Sequence, residues 1–197
     1  NAFCAVRPPG HHAERTRAMG FCLFNNVAIG AFHARDKHRL HRIAVVDFDV
    51  HHGNGTQDLF WHDPDMWLAS THQMPLYPGS GRMDERGVNN NIVNVPLQPM
   101  QGSDEFRQAV SDVVLPQLAK FQPELVLISA GFDAHEKDPL ASLRLHESDF
   151  HWVTAEIMKV ARSACGAGVV SVLEGGYEMD SMGTSTAAHV RALMGMP

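Results

Sequence analysis

Short apolar runs rich in β-branched residues alternate along this chain with longer stretches in which apolar residues recur every three or four positions. The short runs predict strands at Ala2–Val6, Arg42–Asp47, Met66–Ser70, Asn91–Val95, Leu125–Ser129 and Val169–Leu173. The longer stretches predict helices at Asn25–Lys37, Gly55–Trp61, Ser103–Phe121, Glu147–Ala164 and Ser181–Met194. Pro123 blocks helix continuation and hands the chain to the next strand. Regular alternation of strand and helix predicts one α/β domain, with a mainly parallel β-sheet flanked by helices on both faces. The segment Thr71 to Asn90, rich in Gly, Pro and Asn, reads as a long loop, and long loops of this kind are often functional.

Composition narrows the classes. At 197 residues the chain suits a single domain with a sizeable core. The apolar share of 44% and charged share of 19% fit an ordinary globular protein. Apolar runs stay far below the roughly 20 residues that span a membrane, so no membrane partner is expected. A net charge of −6 offers no basic stripe, so direct nucleic-acid binding is not expected either. Cys4, Cys22 and Cys165 are too few and too scattered for a disulfide framework, which points to a reducing, cytoplasmic setting. The 13 histidines gather around loops rather than in one tract, so chemistry is sought there. Association into a homo-oligomer is compatible with the sequence.

The candidate chemistry shares one location. His11-His12, Asp49 and His51, Asp133, and Tyr177 each follow a predicted strand. In open parallel sheets ligands bind beyond the carboxyl ends of the strands. A strand that ends in Asp49-Val50-His51 points both polar side chains to one face, because strand side chains alternate. One carboxylate and one imidazole side by side make half of a divalent metal site, and Asp133 offers a third donor.

Four segments, in order, carry a resemblance. Asp47-Phe48-Asp49-Val50-His51-His52-Gly53-Asn54-Gly55-Thr56 resembles the zinc-binding segment of the histone deacetylase and acetylpolyamine amidohydrolase family. Arg7-Pro8-Pro9-Gly10-His11-His12-Ala13 resembles its tandem-histidine loop. Ser129-Ala130-Gly131-Phe132-Asp133-Ala134 resembles the segment with the third metal ligand, and Leu173-Glu174-Gly175-Gly176-Tyr177 the segment with the catalytic tyrosine. The match runs nearly end to end and implies the arginase/deacetylase fold. Family members carry a further stretch before the point matching Asn1, so the resemblance implies that an N-terminal portion of the catalytic domain is missing.

The resemblance implies a zinc-dependent amidohydrolase that removes an acetyl or other acyl group from a lysine-like amine. Asp49, His51 and Asp133 would hold Zn2+; Fe2+ or Co2+ would fit the same donors. His12 would be the general base and then the acid for the leaving amine, oriented by Asn54. His11 would stay cationic beside Asp47 and act electrostatically. An Asn at position 54 is similar to the class II branch. Tyr177 would hold the oxyanion, with Gly175 and Gly176 permitting its backbone. Gly20, Phe21 and Tyr77 would form an apolar tunnel with Gly175, and Leu140 a gate. Leucine at the gate does not attract a polyamine's distant charge, which favours acetyl-lysine over acetylpolyamine. Asp47, Asp49, His51, Ser70 and Thr71 correspond to a potassium site. His135 repeats the Asp-x-His spacing and is a further donor to weigh, while Gly53 stands where arginases carry an Asp for a second metal. The alternatives are a small-amide or acetylpolyamine amidohydrolase and a catalytically weak metal-binding fragment.

Overall fold

The computed structural model describes residues 1–166 and 168–197. Its six strands are β1 (Ala2–Cys4), β2 (Ile43–Asp47), β3 (Met66–Gln73), β4 (Ile92–Leu97), β5 (Leu125–Ala130) and β6 (Val169–Leu173). They form one sheet in the order β1-β6-β5-β2-β3-β4, and every pairing is parallel. The helices are α1 (Asn26–His38), α2 (Asn54–Phe60), α3 (Ser103–Ala109), α4 (Leu115–Phe121), α5 (Glu147–Cys165) and α6 (Met179–Leu193).

Alternation along the central strands builds two cores, one on each face. Ile43 and Val45 of β2 pack with Leu68, Leu127, Val27, Ala31 and Phe60, under α1 and α2. Ala44 and Val46 pack on the other face with Ile128, Val114, Leu118, Phe150 and Ile157, under the remaining helices. Both faces of β2 are therefore dry, which explains its unbroken apolar run.

Several elements depart from the predicted bounds: β1 stops at Cys4, β4 runs on to Leu97, and three further departures have a plain physical reason. β3 runs on to Gln73, because Thr71, His72 and Gln73 are buried and pair with Val95, Pro96 and Leu97 of β4. Pro96 is tolerated because β4 is an edge strand. The single predicted helix Ser103–Phe121 contains a π-helical turn at Val110–Val114. Pro116 follows that turn; it has no N–H for the Asp112 carbonyl and its ring would clash there, so the widened turn relieves it. α6 starts at Met179 rather than Ser181, because the Glu178 carboxylate accepts from the N–H groups of Asp180 and Ser181.

The strand order fixes where chemistry sits. From β2 the chain moves to β3 on one side and returns through β5 on the other. The carboxyl ends of β2 and β5 therefore flank the point where the winding reverses, the usual ligand crevice of such sheets.

Candidate active site

Asp49 and His51 follow β2 and Asp133 follows β5, so they meet across that crevice. One ligating atom from each lies within 4.8 Å of the others, and all three residues are buried. His51 Nδ1 is 3.2 Å from Asp49 Oδ1 and 3.0 Å from Asp133 Oδ2. Backbone N–H groups hold the carboxylates in place. Val50 donates to Asp133 Oδ1 at 2.9 Å, and Gly175 donates to Asp49 Oδ2 at 2.8 Å. A Cβ on Gly175 would collide with both carboxylates, so this close approach requires glycine. His135 does not join them. The chain turns where the His135 N–H donates to the Phe132 carbonyl, and the His135 ring accepts from the Lys137 N–H at 3.1 Å. Among the described residues, Asp49, His51 and Asp133 make the one cluster with metal-binding geometry.

Charge explains why a cation fits there. Asp47, Asp49, Asp133 and Glu174 are four carboxylates buried in one region. Burial, reinforced by the Asp49 charge, pushes Asp133 up to about 7. Burial also pushes Glu174 up to about 7 against the pull of His11. His51 is raised to about 10: burial opposes this, but its hydrogen bonds to Asp133 and Asp49 outweigh it. Buried carboxylates at this density need positive charge beside them. Two carboxylates and one imidazole turned to one point suit a divalent cation.

The two adjacent histidines have opposite surroundings. His11 Nδ1 is 2.9 Å from Asp47 Oδ2, and its Nε2 is 3.7 Å from Asp49 Oδ1. Burial works against its charge, but Asp49, Asp47 and Glu174 outweigh that and hold its pKa well above the ordinary histidine value. His12 Nδ1 is 2.8 Å from Asn54 Oδ1. Burial and the neighbouring His11 charge take His12 down to about 3. The Asn54 amide nitrogen donates to Glu14 at 2.8 Å, so its oxygen faces His12 and accepts the Nδ1 proton. That arrangement leaves the His12 Nε2 lone pair free.

His12, Gly20, Phe21, His51, Leu76, Tyr77, Leu140 and Tyr177 line one cavity of about 370 Å³. Gly20 has φ +56°, and a Cβ there would strike the His12 ring. Tyr77 stands edge-on to His12 at 5.1 Å between centroids, and Phe21 lies 6.0 Å from Tyr177. Burial, then the Asp49 and Asp133 charges, push the Tyr177 phenol far above its ordinary value, so it stays a donor. Ser70 and Thr71 are buried beside β2, where Ser70 pairs with Asp47 and its hydroxyl meets His72 Nδ1 at 2.9 Å.

The model of the histone deacetylase domain matches residues 1–193. The chain belongs to the histone deacetylase family. It is similar to “Histone deacetylase 10, chloroplastic” of Oryza sativa subsp. japonica, with 44% identity over 99% of this chain and 45% of that protein. It is similar to the “Histone deacetylase-like amidohydrolase” of Pseudomonas aeruginosa, with 43% identity over 90% of this chain and 48% of that protein. Among solved structures, the crystal structure of the HDA15 HD domain superposes with a TM-score of 0.94 at 38% identity, over 100% of this chain and 56% of that one. The chain thus spans less than half the length of these two sequence relatives, and it has the arginase/deacetylase fold.

Several groups around this histone deacetylase-type site escape sequence reasoning. Glu174 is fully buried and accepts from the N–H groups of Gly10 and His11 at 2.6 and 3.0 Å and from Ser129 Oγ at 3.0 Å. It thereby anchors the histidine loop to β5. Arg7 donates to the Glu174 carbonyl at 2.7 Å and places its guanidinium 5.6 Å from the centre of the Tyr177 ring. Leu76 joins the cavity wall from the long loop. A charge standing next to Gly-Gly-Tyr was the available signal for Glu174; Leu76 carried none.

Proposed function

We propose that this site is a zinc-dependent deacylase that hydrolyses the amide of an acetylated lysine-type side chain. The observation that carries the reading is one apolar cavity lined by His12, His51 and Tyr177 together, which joins a base, a metal ligand and a phenol donor. The amine's aliphatic stem would lie between Phe21, Leu76, Tyr77 and Leu140, with the scissile amide at the cavity floor. The Gly20 carbonyl is the proposed acceptor for the amide N–H.

Asp49, His51 and Asp133 would hold the cation; Fe2+ and Co2+ suit the same donors. A divalent ion there supplies Lewis acidity and acidifies water. His12 Nε2 takes a proton from the attacking water, whose oxygen bonds to the acyl carbon. Tyr177 donates a hydrogen bond to the developing oxyanion. His12 then returns the proton to the amine nitrogen as the C–N bond breaks, giving a carboxylic acid and an amine, and the acid's proton passes to the amine so that carboxylate and ammonium leave. His11, held cationic between Asp47 and Asp49, offsets negative charge throughout. Potassium near Asp47, Asp49, His51, Ser70 and Thr71 belongs to the same proposal, as does the class II-like character of Asn54.

Leu140 at the cavity mouth favours a neutral or lysine-like substrate over an acetylpolyamine, whose distant ammonium would find no carboxylate there. Among the described residues no helix is long and apolar enough to cross a membrane. The three free cysteines suit a reducing compartment, the cytoplasm in our reading. Steady-state turnover of an acetyl-lysine peptide beside acetylputrescine tests the assignment. A higher kcat/KM for the peptide supports it. A preference for acetylputrescine moves the reading to a polyamine amidohydrolase, and no turnover of either points to a metal-binding fragment.

A further inference from the structure

We infer that Asp138 is a positioning residue that sets Tyr177 and the cavity mouth relative to each other; the kinetic side of this inference rests on the deacylase reading above. Asp138 lies in the turn after β5 and is 6% exposed. Both of its carboxylate oxygens are engaged by backbone. Oδ2 accepts from the Tyr177 N–H at 2.8 Å, and Oδ1 accepts from the Leu140 N–H at 3.0 Å. The Asp138 N–H itself donates to the His135 carbonyl at 2.9 Å, which closes the turn that carries it. Tyr177 and Leu140 come from loops after different strands, yet both line the cavity.

The Leu140 bond alone is ordinary, because an aspartate commonly caps the backbone two residues on. The Tyr177 bond is not local. The segment after β6 is tied down at Gly175, where the carbonyl accepts from Phe132 at 2.9 Å and the N–H donates to Asp49 at 2.8 Å. Gly176 then adopts φ +135°, a conformation open to glycine and loosely restrained by sterics. The Asp138 bond is the next tie along the chain, and it falls on the tyrosine itself. A single carboxylate therefore spans from the phenol's backbone to the mouth's backbone.

Two variants test this. Asp138→Ala removes both ties. Asp138→Asn keeps the size but replaces one accepting oxygen with an NH2 donor, so one of the two N–H groups loses its partner. Residue-level amide hydrogen exchange should show Tyr177 and Leu140 exchanging at least about tenfold faster in Asp138→Ala, with β5 and β6 amides unchanged. On an acetyl-lysine amide, Asp138→Asn should lower kcat by about tenfold or more, since small misplacements at reacting centres are costly. In the Tyr177→Phe background the same change should alter kcat less than about twofold, because the hydroxyl it positions is gone. A purely structural Asp138 would instead act equally in both backgrounds. Unchanged Tyr177 exchange in Asp138→Ala, or full additivity in kcat, overturns the inference. If Asp138→Ala does not fold, exchange in Asp138→Asn decides by the same criterion. If the parent shows no turnover, the deacylase reading fails while the exchange measurement still decides the role of Asp138.

Discussion

The Asn54 side-chain oxygen sits 2.8 Å from Nδ1 of His12, whereas His11 has the Asp47 carboxylate at 2.9 Å. Adjacent imidazoles thus differ by one partner, an amide against an anion. A carboxylate stabilises an imidazolium and an amide does so far less. Burial and the neighbouring His11 charge keep His12 neutral, at about 3, with no carboxylate at Nδ1 to offset them, while Asp49, Asp47 and Glu174 outweigh burial and keep His11 charged.

Asn54→Asp should therefore raise the His12 pKa. A general base must be unprotonated to act, so the acidic limb of the kcat/KM–pH profile should move to higher pH, by about one unit or more. Profiles of parent and variant check this. An unmoved limb would mean that His12 is not the base.

Much of this site was legible in the sequence because its parts sit on short, rigid offsets from strands. Asp49 and His51 do share a site, but not by strand alternation: β2 ends at Asp47, the chain bends over 49–51, and the His51 N–H donates to Asp49 Oδ1 at 2.8 Å, a local turn that sets the two side by side. All six strands were found, since buried parallel strands are continuous apolar runs. What escaped depends on contacts between distant segments. Nothing local marks Glu174 as the anchor of Gly10 and His11, or Asp138 as the partner of Tyr177. The Asp133-Ala134-His135 spacing suggested a further ligand, but spacing predicts a shared face only where the chain is extended. Here it turns, and His135 leaves the cluster. The π-helical turn before Pro116 and the extension of β3 also depend on packing that periodicity does not encode.

Glu174 makes the metal-free fold pH-sensitive. Burial raises it from 4.5 to about 7 in the folded chain, with His11 opposing. Between those values the folded state binds more protons than the unfolded one, so this group's contribution to stability falls as pH rises. Glu174→Gln should flatten the decline between pH 4.5 and 7, by at most about 1.4 kcal/mol per pH unit. Urea melts across that range, with chelator present, give the slopes. Identical slopes would show that Glu174 titrates normally.

Tyr177→Phe keeps the ring beside Phe21 and Arg7 and removes only the hydroxyl. Loss of one oxyanion donor costs about 10²–10³-fold in kcat. Metal content should be unchanged, because the phenol belongs to the cavity wall and not to the Asp49, His51 and Asp133 cluster. Kinetics and metal analysis on the same preparation separate the two effects. Near-parental turnover would remove Tyr177 from the reaction.

The most direct test is acetate release from an acetyl-lysine amide while zinc is titrated into chelator-stripped protein. Turnover should rise from near zero to a plateau at about one ion per chain, as expected for a single three-ligand site. Asp133→Ala should show no such rise below a large excess of zinc. Release that is independent of zinc, or that persists in Asp133→Ala with the parent's titration curve, would contradict a metal-dependent deacylase centred on Asp49, His51 and Asp133.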